Sequence, residues 1–302
     1  MAFGFNIAAL PAYTDQLSNE IIAKSVLTTD LLSYLDLRTG YTSGTVAINL
    51  VDADLPVSAL SCGWTSDGQV TYTQVNVIID SLQSKTEMCV EDLRAKYQSA
   101  FMNAGTGNDF IPFEEVISES YTDKLRKYNE GLLINGAGAA GAGTGLKAQI
   151  TSANGAQLQA GVPAAWTAAN AFEQALDLYD AIDESVKDRD DLIMVVSPDA
   201  YRALVRALVA QNLYHFNSVE SNDILILPGT NVTVVKSSGL VGSDNKFAGP
   251  GKMILAATGL TDELDNFRFF YDEAADTMRF RAAWRLGVGV GEVNVFATND
   301  MA

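Results

Sequence analysis

From Phe113 onward apolar residues recur every three or four positions, at Val116, Ile117, Tyr121, Leu125, Tyr128, Leu132 and Leu133, with Glu, Asp, Lys and Arg between them. That spacing predicts an amphipathic helix over about 112–135, roughly 35 Å long at 1.5 Å per residue. Upstream the period changes to two. "TVAINLV" alternates Val46, Ile48 and Leu50, and "QVTYTQVNVII" places Val75, Val77 and Ile79 on one face. Both read as strands. Between them Pro56, Gly63 and Gly68 suit a long turn, so the pair predicts an extended two-stranded ribbon. Such a ribbon is marginal alone in water and has to lie against its own domain or a neighbouring copy.

The remaining pattern is mixed. Residues 1 to about 35 read as an irregular arm with one weakly periodic helix, and 86–99 as a short amphipathic helix in which Thr86 can cap. "TAANAFEQALDLYDAIDESV" predicts a helix and "DLIMVV" a buried strand. "SPDAYRALVRALVAQ" predicts a helix with Ser197 as N-cap and Pro198 at its first position. "DILIL" and "NVTVVKS" read as strands split by Pro228-Gly229, and "KMILAAT", "NFRFFYD", "TMRFRAAWRLGVGV" and "GEVNVFAT" as a strand-rich end. The order is α+β, without regular β-α-β alternation.

Charge narrows the function. With 20 Lys+Arg against 37 Asp+Glu, the net charge of −17 repels nucleic acid, and no Lys/Arg-rich run offsets it locally. Apolar runs fall far short of the roughly 20 residues a membrane helix needs, and no secretory signal opens the chain. Cys62 and Cys89 are the only cysteines, too few for a disulfide framework or a Cys-rich zinc site, and a reducing compartment fits. His215 is the only histidine, which excludes any site needing two imidazoles, and it lies between aromatics with no nucleophile motif beside it.

The one motif that suggests a ligand is glycine-rich. Gly136, Gly138 and Gly141 spell G-x-G-x-x-G, the pyrophosphate-cradling spacing. A cradle has to follow a strand and open a helix, whereas this motif follows a long helix, and no Asp or Glu occurs from Gly131 through Phe172. The glycines therefore read as a helix stop and a pliable connector, hence a hinge. The acidic stretches 183–191 and 261–266 lack calcium-loop spacing and read as solvated turns. No cofactor, metal or catalytic residue is expected. Between Thr39 and Ser84 the ribbon carries Asp52, Asp54, Asp67 and Asp80 and no Lys, Arg or Glu. Arg268, Arg279, Arg281 and Arg285, in the predicted C-terminal strands, are the densest basic group. Asp52, Asp54, Trp64 and Asp67 on one side and these arginines on the other are the candidate inter-subunit contacts.

Taken in order, ribbon, "VTYTQVNVIIDSLQSKTEMCVEDLRAKY", "EEVISESYTDKLRKYNEGLLINGAG", "GLKAQI", "LIMVVSPDAYRALVRAL" and "FRFFYD…TMRFRAAWRLGVGVGEVNVFAT" resemble the major capsid proteins of tailed bacteriophages (Caudoviricetes), the HK97 fold shared with encapsulin shells. The resemblance covers essentially the whole chain through patterns, with no strict motif. It implies an N-terminal arm (1–36), an extended β-hairpin E-loop (37–84) and a peripheral (P) domain with the spine helix (85–150). An axial (A) domain (151–252) and C-terminal strands returning to the P domain (253–302) follow, with "GLKAQI" as a short strand. It further implies a non-enzymatic virion protein, self-assembling into pentamers and hexamers that enclose double-stranded DNA without reading its sequence. Assembly would take place in the bacterial host cytoplasm, with a portal and a separate scaffolding protein as partners and no membrane. The ribbon has no lysine, so the covalent cross-linking of some family members lacks its donor, and noncovalent locking is expected. An encapsulin-type shell around cargo enzymes is the alternative, and a dinucleotide-binding enzyme a remote one.

Overall fold

The computed structural model describes residues 31–41, 44–53, 57, 62–63, 68–89, 113–136, 143–211, 225–259, 268–272, 275 and 277–301. The expected helix of the N-terminal arm lies outside them.

Two six-stranded sheets organise the chain. The first is built from β1 (Asp36–Thr39), β2 (Gly44–Ala53), β3 (Val70–Cys89), β9 (Ile254–Thr258), β10 (Arg268–Asp272) and β11 (Thr277–Val290), in the order β1-β9-β11-β3-β2 with β10 also on β11. The period-two stretches do form a ribbon: β2 and β3 pair antiparallel from Gly44↔Ile79 to Ala53↔Val70. Beyond Ile79 the same strand β3 changes partner and pairs with β11, from Asp80↔Leu286 to Cys89↔Thr277. β3 is thus 20 residues long. Residues 86–89, expected to open a helix, are strand. Ladder bonds to 277–280 outweigh the local capping signal of Thr86, which stands opposite Phe280. Residues 90–99 lie outside the described set.

Helix α1 (Phe113–Asn135) matches the predicted long helix and covers one face of this sheet. β11 alternates, so Phe280, Ala282, Trp284 and Leu286 are buried toward the helix. Phe280 stacks on Tyr121 with centroids 4.4 Å apart, and the Trp284 indole donates to Asn129 Oδ1 at 2.9 Å. Farther along, α1 meets the second unit. Glu130 Oε2 accepts from the Ser238 backbone N–H at 2.9 Å, and the Asn135 amide donates to the Gly239 carbonyl at 2.9 Å. One helix therefore braces both sheets.

The second sheet runs β4-β12-β8-β5-β7-β6, with β4 Gln157–Leu158, β5 Leu192–Val196, β6 Leu225–Ile226, β7 Thr233–Lys236, β8 Phe247–Pro250 and β12 Ala297–Thr298. Every residue of β5 and β8 is buried, as the near-continuous apolar run of β5 requires. Helix α3 (Ala171–Asp180) ends earlier than its sequence pattern suggests, with a short 3-10 turn at Glu184–Val186 beyond it. Helix α4 (Pro198–Ala210) begins as read, Ser197 Oγ accepting from the Ala200 N–H at 3.3 Å. It bridges the parallel pair β5 and β7. "GLKAQI", expected as a strand, forms a one-turn helix α2 (Leu146–Gln149). Its Gln149 side chain nonetheless bonds the end of β11, accepting from the Val290 N–H and donating to the Val288 carbonyl. "GEVNVFAT" yields a 3-10 turn and the two-residue β12, which pairs with β4 and β8. The segment 253–302 is thereby divided, with β9, β10 and β11 in the first sheet and β12 in the second.

Candidate assembly surface

The ribbon leaves the first sheet with its long edge strand β2, on the outer side, unpaired among the described residues. Val51 and Tyr72 face each other across its two strands and are 59% and 72% exposed. Toward the root the opposite face joins a small apolar cluster of Val77, Ile79, Leu255 and Ala257, with Tyr41 and Val46 against it. Asp52 lies on β2 opposite Thr71. Asp54, Trp64 and Asp67 lie outside the described residues, as do Gly138, Gly141 and His215. Asp80 is not a surface acid of the ribbon. It is 7% exposed and accepts from the Gly143 N–H at 2.7 Å.

The face of the first sheet turned away from α1 carries the cations. Odd-numbered residues of β11 point there, among them Arg279, Arg281 and Arg285. Arg279 is engaged within its own chain, ion-paired to Asp272 and 3.8 Å from Glu87. The aliphatic part of Arg285 runs beside Gly259, where a Cβ would sit 3.3 Å from its Cδ. Arg281 is exposed, and the register sets it between two further cations, opposite Arg268 on β10 and opposite Lys85 on β3. Directly opposed residues on neighbouring strands hold their Cβ atoms about 5 Å apart, and like charges there are destabilising. Among the described residues neither Arg281 nor Lys85 has a carboxylate partner.

The sequence reading missed Lys85, because a helix was expected to begin at the next residue. Continuing the period-two alternation of β3 to residue 89 would have put it on the cation face.

The glycine motif has its own geometry. Gly136 ends α1 with φ +84°, its N–H bonded to the Leu132 carbonyl at 2.8 Å. A bridge between Gly136 and Thr144 brings the chain straight back. A Cβ on Gly145 would stand 2.2 Å from the Ile134 carbonyl oxygen, so close backbone approach requires glycine there. A helix precedes the motif and only one helical turn follows Gly145, so the strand-before, helix-after context of a phosphate cradle is missing. Among the described residues no three His, Cys, Asp or Glu side chains gather as a metal site, and no helix is long and apolar enough to cross a membrane.

In the second unit Lys246 is fully buried. Its ammonium donates to the Asp244 carbonyl at 2.6 Å and lies 5.3 Å from the Trp166 ring centre. Burial pushes it down to about 8, against the opposing pull of the Asp244 carboxylate.

This architecture is similar to that of solved capsid and encapsulin chains. The capsid of a native GTA particle is similar with a TM-score of 0.58 at 14% identity, over 90% of this chain and 89% of that one. Gordonia phage Cozz gives 0.57 at 11% identity, over 89% and 85%. The holo-SrpI encapsulin complex of Synechococcus elongatus PCC 7942 gives 0.53 at 12%, over 91% and 88%. No protein-family model matches the chain, and no curated protein matches it. At such identities the shared property is the fold, and the HK97-like α+β capsid fold expected from the sequence is the one observed.

Proposed function

We propose that this chain is the major capsid protein of a tailed phage, assembling into pentamers and hexamers of an icosahedral head around double-stranded DNA. The observation that carries the reading is a capsid fold, aligned over about nine-tenths of the chain, bearing a ribbon too long and too exposed to be stable alone. Each subunit's ribbon lies across a neighbour, and many individually weak contacts become strong because every subunit repeats them. In this reading Asp52, Asp54 and Asp67 meet the cation face of the next subunit at Arg268, Arg281, Arg285 and Lys85, with Trp64 adding apolar contact and Arg279 held in reserve by its own carboxylates. The acidic surface keeps DNA from sticking, while Gly136, Gly138 and Gly141 form the joint between the long helix and the axial unit. Portal and scaffolding proteins supply what the shell subunit lacks, and assembly takes place in the host cytoplasm.

The test is electron microscopy of the protein purified after expression with and without its head-assembly partners. Closed shells with five- and six-fold capsomers are expected. Dispersed subunits under both conditions overturn the reading. The encapsulin likeness favours a second reading, and shells of pentamers only, copurifying with an enzyme and no DNA, would select it.

A further inference from the structure

We propose that Asp80 is a latch that sets the direction in which the ribbon leaves the sheet, by tying β3 to the turn behind α1. The position is singular in the topology. β3 bonds to β2 up to Ile79 and to β11 from Asp80 onward, so the chain changes partner at this peptide. Strand pairing on its own leaves such a hand-off free to bend, because among the described residues no third strand spans it on the β2 side.

Three close contacts pinch the hand-off. The Asp80 carboxylate, 7% exposed, accepts from the Gly143 N–H at 2.7 Å. A Cβ on Gly143 would stand 2.3 Å from that same Oδ2, so a larger residue there would push the carboxylate away from this N–H. From the β11 side a Cβ on Gly287 would stand 2.4 Å from the Ile78 carbonyl oxygen, and one on Gly289 2.5 Å from Val77. A carboxylate accepting a backbone N–H in a dry place makes a strong bond, and removing it strands the donor.

The consequence is leverage. Ten paired residues project beyond the latch, about 33 Å of strand, so a 10° change at the root moves the tip by about 6 Å. Gly143 belongs to the turn that Gly136 and Thr144 bridge closed at the end of α1. A displacement of the helix end is therefore passed to the ribbon through Asp80, and not through the ribbon's own ladder. That the ribbon's direction then decides which neighbour it meets rests on the shell reading above; the latch itself does not.

The test uses the exposed Cys62 near the ribbon tip as a spectroscopic handle. In a Cys89→Ser background, nitroxides on Cys62 and on Glu173→Cys report the ribbon-to-axial-unit distance by pulsed electron resonance, with labelled chain diluted into unlabelled chain. The parent is expected to give one narrow distribution, and Asp80→Asn, whose Oδ1 still accepts, to keep it. Asp80→Ala and Gly143→Ala are expected to broaden it, and together to broaden it no further than either alone. Unchanged width in Asp80→Ala overturns the latch, as does equal broadening in Asp80→Asn. Should Asp80→Ala fail to fold, hydrogen exchange at the Gly143 amide of the unsubstituted chain decides. Protection of about tenfold or more over an exposed loop amide supports the latch, and loop-like exchange overturns it. These readouts hold for free subunits and for shells alike, so failure of the latch and failure of shell assembly are separate results.

Discussion

The two sheets have equal strand counts and opposite habits. In the second, β5 and β8 are buried at every residue, and both edge strands, β4 and β6, are only two residues long. Short edges leave little backbone to recruit another chain. In the first, β11 is buried toward α1 and carries cations on its other side, while the ten-residue β2 lies open at the edge among the described residues. One sheet is finished by its own chain. The other keeps an exposed ribbon, a row of like charges and, among the described residues, an open edge.

That contrast can be broken at its strongest point first. Phe280→Ala removes a buried ring stacked on Tyr121 from the side of the first sheet that the subunit completes itself. A loss of about 3–5 kcal/mol is expected in chemical denaturation of the subunit. Tyr72→Ala, out on the exposed ribbon, should leave that midpoint within about 0.5 kcal/mol, while shell yield falls. If both substitutions cost the subunit alike, the first sheet is not divided into a packed root and an exposed ribbon.

The second sheet's self-sufficiency has one flaw, the buried Lys246. Its folded-state value of about 8 lies below the 10.5 of a free lysine, so between these values the unfolded chain binds more protons and stability rises with pH. Below about 8 the buried charge is carried in full. Lys246→Met is expected to stabilise the subunit by on the order of 2 kcal/mol at pH 7 and to abolish this part of the rise. Denaturation midpoints of parent and variant between pH 7 and 11 check it. Parallel curves would show that the ammonium is not the titrating group.

The smallest effect on the subunit is the most informative for assembly. Lys85→Glu replaces one end of the Arg268–Arg281–Lys85 row with an anion, so the isolated subunit should gain a few tenths of a kcal/mol. In the proposed shell, assembly should weaken and lose salt sensitivity, since the substitution removes one of the cations set to meet the neighbour's carboxylates. Opposite signs in the two measurements are expected. Equal signs would assign the row a purely internal role.

Much of this was written in the chain. The 3.6-residue period over 113–135 and the period-two stretches over 44–53 and 70–79 each have one way to bury their apolar face, so helix and ribbon were legible from local pattern. The Ser197–Pro198 start of α4 was equally local. Where the reading failed, the deciding partner was distant in sequence. Thr86 had a helix-capping pattern, but β11, about 190 residues on, made it strand. "GEVNVFAT" has strand composition, yet only the two residues that reach β8 and β4 become one. Register, unlike period, is not carried by any single segment. Hence the pairing of Lys85 with Arg281, and the separation of Asp80 from the acids of the ribbon, could be known only once β3 and β11 were laid side by side. The glycines show the same division. Their density announced a break after the helix, which sequence alone fixes through backbone freedom at Gly136. That Gly143 and Gly145 are bare so that Asp80 and the Ile134 carbonyl can approach within contact distance is a fact of packing, decided by which surfaces the tertiary structure presses together.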